Sequence, residues 1–243
     1  MSIELFKDEN HLCLKFDNFF QGTEVPCNQF LLVNDKWGVL IDPGGNRLFS
    51  QLTAEISSYC PPQRLKYIIL SHQDPDVGAG LNGWLLISDA VIAVSDVWVR
   101  FIPNFCMSDL PEERVLGIPD QGTELEFGNA MLQLVPAHFL HSPGNFHVFD
   151  KKSGILFTSD LGASISPEKE NITSREEFEQ HVAYMSGFHK RYIPHSSACK
   201  RWAATARTLP IRMIVPQHGA RFTGEEAVSA FIDWVDQLEG ALG

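Results

Sequence analysis

The chain has 243 residues, 44% of them hydrophobic and 20% charged. That length suits one large domain better than two ordinary ones, and the composition supplies a sizeable core and excludes disorder. Nineteen Lys and Arg against 30 Asp and Glu give a formal net charge of −11, and no basic stretch interleaved with aromatics offsets it, so a general nucleic-acid or anionic-membrane binder is excluded.

The stretch 1–10 has no basic region followed by an apolar block and does not read as a signal peptide. Strand-like runs come next at 11–16, 28–33 and 38–41, the last ending in Asp42-Pro-Gly-Gly45. Leu48, Leu52, Ile56 and Tyr59 recur at helical spacing, with Pro61-Pro62 as the stop. A buried strand at 65–70 runs straight into Ser71-His-Gln-Asp-Pro-Asp76. A helix at about 79–87, a strand at 90–94 and another short helix come after it. The run 90–99 is the longest apolar one, but Ser95 and Asp96 break it and it is too short to span a bilayer. Strands are expected again at 131–135, 145–149 and 154–158. Ser174-x-x-Glu177 reads as a capping box opening a helix with Phe178, Val182 and Met185 on one face. A helix at 198–208 precedes a strand at 211–215. Thr223-x-x-Glu226 is expected to cap a final helix carrying Phe231, Val235 and Leu238. The β-then-α order occurs twice, which predicts two sheets packed together with helices outside, in a single domain over 1–243.

Five cysteines, Cys13, Cys27, Cys60, Cys106 and Cys199, are scattered, without a C-x-x-C pair. They read as reduced, mostly core-packed thiols of a soluble, cytoplasmic protein.

Four apolar strands end in a potential metal ligand. The run 65–70 leads to His72, Asp74 and Asp76; 131–135 leads through His138 to His141; 154–158 leads to Asp160; 211–215 leads to His218. Ionisable groups at the lip of a core need partners, and four such exits describe one sheet edge converging on a cation. In an extended loop i, i+2 and i+4 share a side, so His72, Asp74 and Asp76 are expected to face one site, with Pro75 stiffening that shape. Three His and three Asp exceed one tetrahedral ion and suit two ions sharing a carboxylate, with Asp160 as the bridge. The positive charge left over suits a bound oxo, hydroxo or peroxo species. Nitrogen and oxygen donors without a thiolate fit iron or manganese at least as well as zinc.

This set, His72-x-Asp74-x-Asp76, His141, Asp160 and His218, resembles the ligand set of the metallo-β-lactamase fold in its flavodiiron variant, where the pattern is His-x-Glu-x-Asp, then His, Asp and His. Leu140-His-Ser-Pro-Gly-Asn-Phe146 and the 18 residues between His141 and Asp160 match that variant. The segments 71–77, 155–164 and 216–219 are most similar to stand-alone oxygen-binding diiron proteins of bacterial chemotaxis. The resemblance implies an αββα four-layer sandwich. It also implies two iron ions, one held by His72, Asp74, His141 and Asp160 and the other by Asp76, Asp160 and His218. It selects His141 over His138. Hydrolases of this fold carry His-x-His-x-Asp-His; here Asp74 replaces the second His and Val77 the last, which hardens the site and leaves the second metal open.

The function so implied is a dioxygen-binding sensor read by a chemotaxis receptor or histidine kinase, with a homo-oligomer compatible. No flavodoxin-like extension or flavin site is expected to supply electrons. The alternatives are an oxygen or nitric oxide reductase fed by separate donors, and a dinuclear zinc hydrolase in which the metals acidify a bridging water.

Gly78-Ala-Gly-Leu-Asn-Gly83 is a literal G-x-G-x-x-G, but seven residues separate Leu70 from Gly78, so it reads as helix packing, not as a dinucleotide turn. His147 reads as structural. His11, His181, His189 and His195 have no companion at ligand spacing, and Tyr184 and His189 are the helical residues expected near the site. The sequon at Asn171 is idle in a cytoplasmic chain.

Overall fold

Strand β1 (Ser2–Lys7) opens a sheet that is laid down in chain order: β2 (His11–Phe16), β3 (Gln29–Asn34), β4 (Trp37–Ile41), β5 (Leu65–Ile69), β6 (Val91–Ser95) and β7 (Val115–Ile118). This computed structural model describes residues 2–17, 19, 25–165 and 167–241. The chain divides into two compact units, 1–132 and 133–243.

In the N-terminal unit, β1 to β4 pair antiparallel and β4 to β7 pair parallel. The switch comes from the connections. A two-residue turn with Asp35 at φ 52° joins β3 to β4, whereas parallel neighbours need crossovers: α1 (Phe49–Ser57) leads to β5, α2 (Pro75–Gly78) and α3 (Leu81–Ile87) lead to β6, and 3-10 turns at Val99–Phe105 and Glu112–Arg114 lead to β7. Leu52 and Ile56 of α1 and Leu81 and Trp84 of α3 are fully buried with Leu14, Leu31, Leu40, Ile68 and Ile92 of the sheet.

The G-x-G-x-x-G glycines serve packing, as expected. A Cβ on Gly80 would lie 2.8 Å from the Gly44 carbonyl oxygen, and one on Gly83 would lie 2.7 Å from the Phe49 ring. The Gly80 N–H donates to that same carbonyl at 2.8 Å.

The second sheet consists of β8 (Thr123–Phe127), β9 (Ala130–Pro136), β10 (Phe146–Asp150), β11 (Ile155–Phe157), β12 (Asn171–Ile172), β13 (Met213–Val215) and β14 (Arg221–Thr223), in the order β12-β14-β13-β11-β10-β9-β8. The unit boundary falls inside β9. Helices α4 (Arg175–Tyr192), α5 (Ser196–Ala206) and α6 (Glu225–Asp236) complete the C-terminal unit. Its core joins Phe149, Leu156 and Ile214 to Phe178, Met185, Trp202 and Phe231. Two sheets with their helices give the predicted mixed α/β class.

Two local expectations are corrected. Ser174 does cap α4, accepting the Glu177 N–H at 3.2 Å, but Glu177 reaches back to the Thr173 N–H at 2.8 Å instead of that of the cap residue. Thr223 caps nothing. It pairs with Met213 in the β13–β14 ladder and its hydroxyl bonds Asn171 Oδ1 at 2.7 Å. Gly224, at φ 89°, is the residue before α6, because the strand-to-helix turn needs a backbone conformation that threonine resists.

Candidate metal centre

The parallel register of β11 and β13 sets Phe157 beside Val215. Three residues beyond each stand Asp160 and His218, so both leave at the same sheet edge. Backbone bonds hold the two exits together: the Gln217 N–H donates to Ser159 O at 2.7 Å, and the Ser164 N–H donates to His218 O at 3.2 Å. Asp160 is 5% exposed, and it offers one oxygen to each of two imidazoles. Its Oδ1 lies 3.4 Å from His218 Nε2 and its Oδ2 lies 3.7 Å from His141 Nδ1. With metal–ligand bonds of about 2.0–2.2 Å, ligand atoms on one ion stand roughly 3–3.6 Å apart, close to both spacings.

His141 is carried by the β9–β10 loop. The Ala137 N–H to Asn145 O bond (2.9 Å) and the Asn145 side chain to Leu140 O bond (2.7 Å) close that loop tightly. His138 instead packs edge-on against Phe146.

In the N-terminal unit, β5 delivers Ser71 and His72 beside the end of β4. Buried Asp42 accepts the Ser71 N–H at 2.8 Å and the Ser71 hydroxyl at 2.9 Å. That hydroxyl, having given its proton to Asp42, accepts from His72 Nδ1 at 3.0 Å. His72 Nε2 therefore carries the lone pair, the tautomer a ligating histidine needs. It faces Asp74 Oδ2 at 3.7 Å, while Gln73 donates to the other oxygen of Asp74 at 3.0 Å. Two lone-pair groups turned toward each other form an arrangement that a cation satisfies. Imidazole and carboxylate donors without thiolate suit a first-row divalent metal, so the residues present fit the metal chemistry expected.

The extended shape expected of 72–76 is corrected at its end. Asp74 is extended (φ −67°, ψ 151°), but Pro75 starts α2, so Asp76 lies in a helical first turn. Proline is pre-organised for the first helical position. Val77 is fully buried in the apolar core.

Sequence reasoning passed over Asp42 and Ser71. Ile41 into Asp42 is a fifth apolar strand leaving into an acid, the same signal that marked the other four exits. Of the two helical residues expected near the site, His189 reaches the Asp160 turn, its Nε2 accepting the Gly162 N–H at 2.9 Å; burial pushes its pKa down to about 4. Tyr184 instead tilts against His181. His147, buried, accepts the Trp202 indole N–H at 2.8 Å, the structural role expected. The cysteines are free thiols, four buried and Cys106 half-buried. Among the described residues no helix is long and apolar enough to cross a membrane.

Among solved structures, the chain is similar to one described as "Apo state of chemotaxis sensor ODP from T. denticola", with 35% identity and a TM-score of 0.87 over 99% of this chain and 95% of that one. A second, "Peroxy diiron species of chemotaxis sensor ODP", gives 35% identity and a TM-score of 0.86 over 98% and 95%. A flavo di-iron protein mutant from Thermotoga maritima shares the fold at a TM-score of 0.79 and 21% identity, over 97% of this chain and 61% of that one. An uncharacterised protein of Methanocaldococcus jannaschii is 25% identical over 211 residues, 84% of this chain and 51% of that protein. The chain thus spans about half the length of that curated relative. The fold is metallo-β-lactamase-like, and residues 25–219 match the family described as "ODP family beta lactamase". The chain belongs to the ODP family of β-lactamase-fold proteins.

Proposed function

We propose that the chain is a cytoplasmic dioxygen sensor that acts as one domain over 1–243. In this reading His72, Asp74, His141 and Asp160 hold one iron ion, and Asp76, Asp160 and His218 hold the other. The observation that carries it is Asp160, a nearly buried carboxylate with its two oxygens directed at two different histidines. Bridging two cations explains that arrangement; a structural ion pair would need only one partner. The 35% identity to a chemotaxis sensor whose described state is a peroxy diiron species supports iron and dioxygen as metal and ligand.

When bound, a ferrous pair would supply the electrons for binding a diatomic ligand. The protein's own part is to orient the ligands. Asp42 and Ser71 fix the tautomer of His72, and the backbone bonds between the exits of β11 and β13 fix Asp160 relative to His218. Val77, buried among Leu70, Leu81 and Trp84, cannot supply the further ligand of the zinc hydrolases. The output is read by a signalling protein such as a chemotaxis receptor or histidine kinase.

Anaerobic loading with ferrous iron, followed by air, tests this. Two irons per chain and a long-lived visible band are expected. Sustained dioxygen or nitric oxide consumption with an added donor would establish a reductase instead. Zinc without iron, with esterase turnover, would establish a hydrolase.

A further inference from the structure

The end of α4 touches two of the three ligand-bearing loops of the C-terminal unit, those of His141 and Asp160. His189 is 1% exposed. An amide can only donate, so the Gly162 N–H at 2.9 Å requires an unprotonated His189 Nε2; Nδ1 then carries the proton and donates to Met185 O at 2.8 Å. The ring is pinned on two more sides, with centroids 4.9 Å from Trp234 and 5.3 Å from Phe188. Gly162 has no room for a side chain: at φ 98°, a Cβ there would lie 2.7 Å from Pro216 and 2.8 Å from Phe231. It is two residues past Asp160, and the Ala163 N–H closes that turn onto Asp160 O at 2.9 Å.

On the same helix, Phe188 and Tyr192, either side of His189 in sequence, stack at 4.7 Å, as i, i+4 neighbours can. Both lie against the His141 ring, Tyr192 edge-on at 5.5 Å and Phe188 tilted at 5.8 Å. Taking His141 and Asp160 as metal ligands, the assignment made under Proposed function, we propose that Phe188, His189 and Tyr192 are positioning residues: His189 sets the Asp160 turn through Gly162, and the stacked pair sets the plane of the His141 imidazole. Three side chains within five consecutive helical positions thereby fix two ligands arriving on separate loops, before any metal binds. Partners of this kind hold ligands in the geometry a metal requires, and their removal costs metal affinity as well as stability.

The test uses cobalt(II), whose visible d–d absorption reports ligand geometry without iron or dioxygen. Metal-free wild type, His189→Leu, His189→Gln and Tyr192→Leu are titrated after far-UV circular dichroism confirms each is folded. His189→Leu and Tyr192→Leu are expected to weaken cobalt binding about 10- to 100-fold and to alter the band shape. His189→Gln, which keeps an acceptor for the Gly162 N–H, is expected to restore both toward wild type. Wild-type affinity and spectrum in the two leucine variants would overturn the proposal, as would a wild type that binds no cobalt. Should His189→Leu fail to fold, Tyr192→Leu, whose side chain is half-exposed, decides alone by the same criterion. A wild type that takes cobalt but shows no lasting band with iron and air refutes the dioxygen reading and leaves the positioning role standing.

Discussion

Replacing Ser71 with alanine removes one oxygen atom from the connection between Asp42 and His72. The hydroxyl donates to Asp42 Oδ2 at 2.9 Å and accepts from His72 Nδ1 at 3.0 Å, and all three residues are at most 2% exposed. Water cannot readily replace the lost group. A hydrogen bond to a charged partner contributes about 1.5–3 kcal/mol and a neutral one about 0.5–1.5 kcal/mol. Asp42 keeps the Ser71 N–H at 2.8 Å, so the metal-free protein is expected to lose about 2–4 kcal/mol in urea unfolding. Metal affinity should fall as well, by about 10- to 100-fold, because either imidazole nitrogen can then carry the proton. Ser71→Thr retains the hydroxyl and should retain most of both. Unfolding and cobalt titration are run on the same preparations. A variant that loses stability but binds cobalt as wild type does would show that the hydroxyl is structural only and that the tautomer argument is wrong.

A Cβ added at Gly187, inside α4, would meet nothing within 4 Å, so Gly187→Ala should raise stability by about 0.5–1 kcal/mol; a lower urea midpoint would mean the glycine is needed there. Trp202→Phe deletes the buried indole bond to His147 and should cost about 1–3 kcal/mol, with an unchanged midpoint arguing against that bond. Glu177, hydrogen-bonded first to Lys169 and then to the Thr173 backbone, has its pKa lowered from 4.5 to about 2. The folded state is the weaker proton binder there, so this stabilisation is complete above about 4.5 and fades as pH falls toward 2. Melting temperatures of wild type and Glu177→Gln should therefore converge over that window, and parallel curves would contradict the assignment. Burial raises the Cys60 and Cys199 thiols to about 11, so neither should be alkylated by a thiol reagent at about pH 8 in folded protein, as mass mapping can check.

How much of the fold is legible in the sequence depends on the range of the forces involved. His11–Phe16 is readable because it is a short run rich in strand-forming residues, nearly all of them buried, and the ligand-bearing exits of β5, β9, β11 and β13 are readable because an apolar run ending in His or Asp is conspicuous. β12 is two residues long and exists through its parallel pairing with β14; nothing local marks it. β1, with its bulge between Glu4 and Phe6, likewise depends on β2. Thr223-x-x-Glu226 matches a capping box as closely as Ser174-x-x-Glu177 does, yet a ladder partner at Met213 claims the threonine. Pro75 is ambiguous for a similar reason. Proline suits both an extended loop and the first turn of a helix, and α2 forms because the N–H groups of Val77 and Gly78 find Asp74 O at 3.0 and 3.1 Å.

Backbone strain gives an independent argument for where function lies. Among the described residues five non-glycines have positive φ, and one, Asp35, sits in a tight hairpin turn that favours such geometry. The other four are Asp42, Phe139, His141 and Ser159. Asp42 bonds the residue before His72, Phe139 and His141 belong to one loop, and Ser159 precedes Asp160. Conformations of this kind cost on the order of 1 kcal/mol or more each and persist where surrounding structure over-determines them, against a net stability of about 5–15 kcal/mol. A loop that merely connected β9 to β10 could relax at Phe139 and His141 at little cost. That all four stand in or beside candidate ligand segments is what a chain selected to hold each donor atom in place would show. Substituting glycine separates the contributions. Phe139→Gly, at an exposed side chain, should relieve strain while leaving cobalt affinity within about threefold, whereas Asp42→Gly should relieve the same kind of strain and abolish the hold on His72, lowering affinity at least about tenfold. Equal losses in both variants would mean that loop shape, and not the acid beneath His72, sets the metal site.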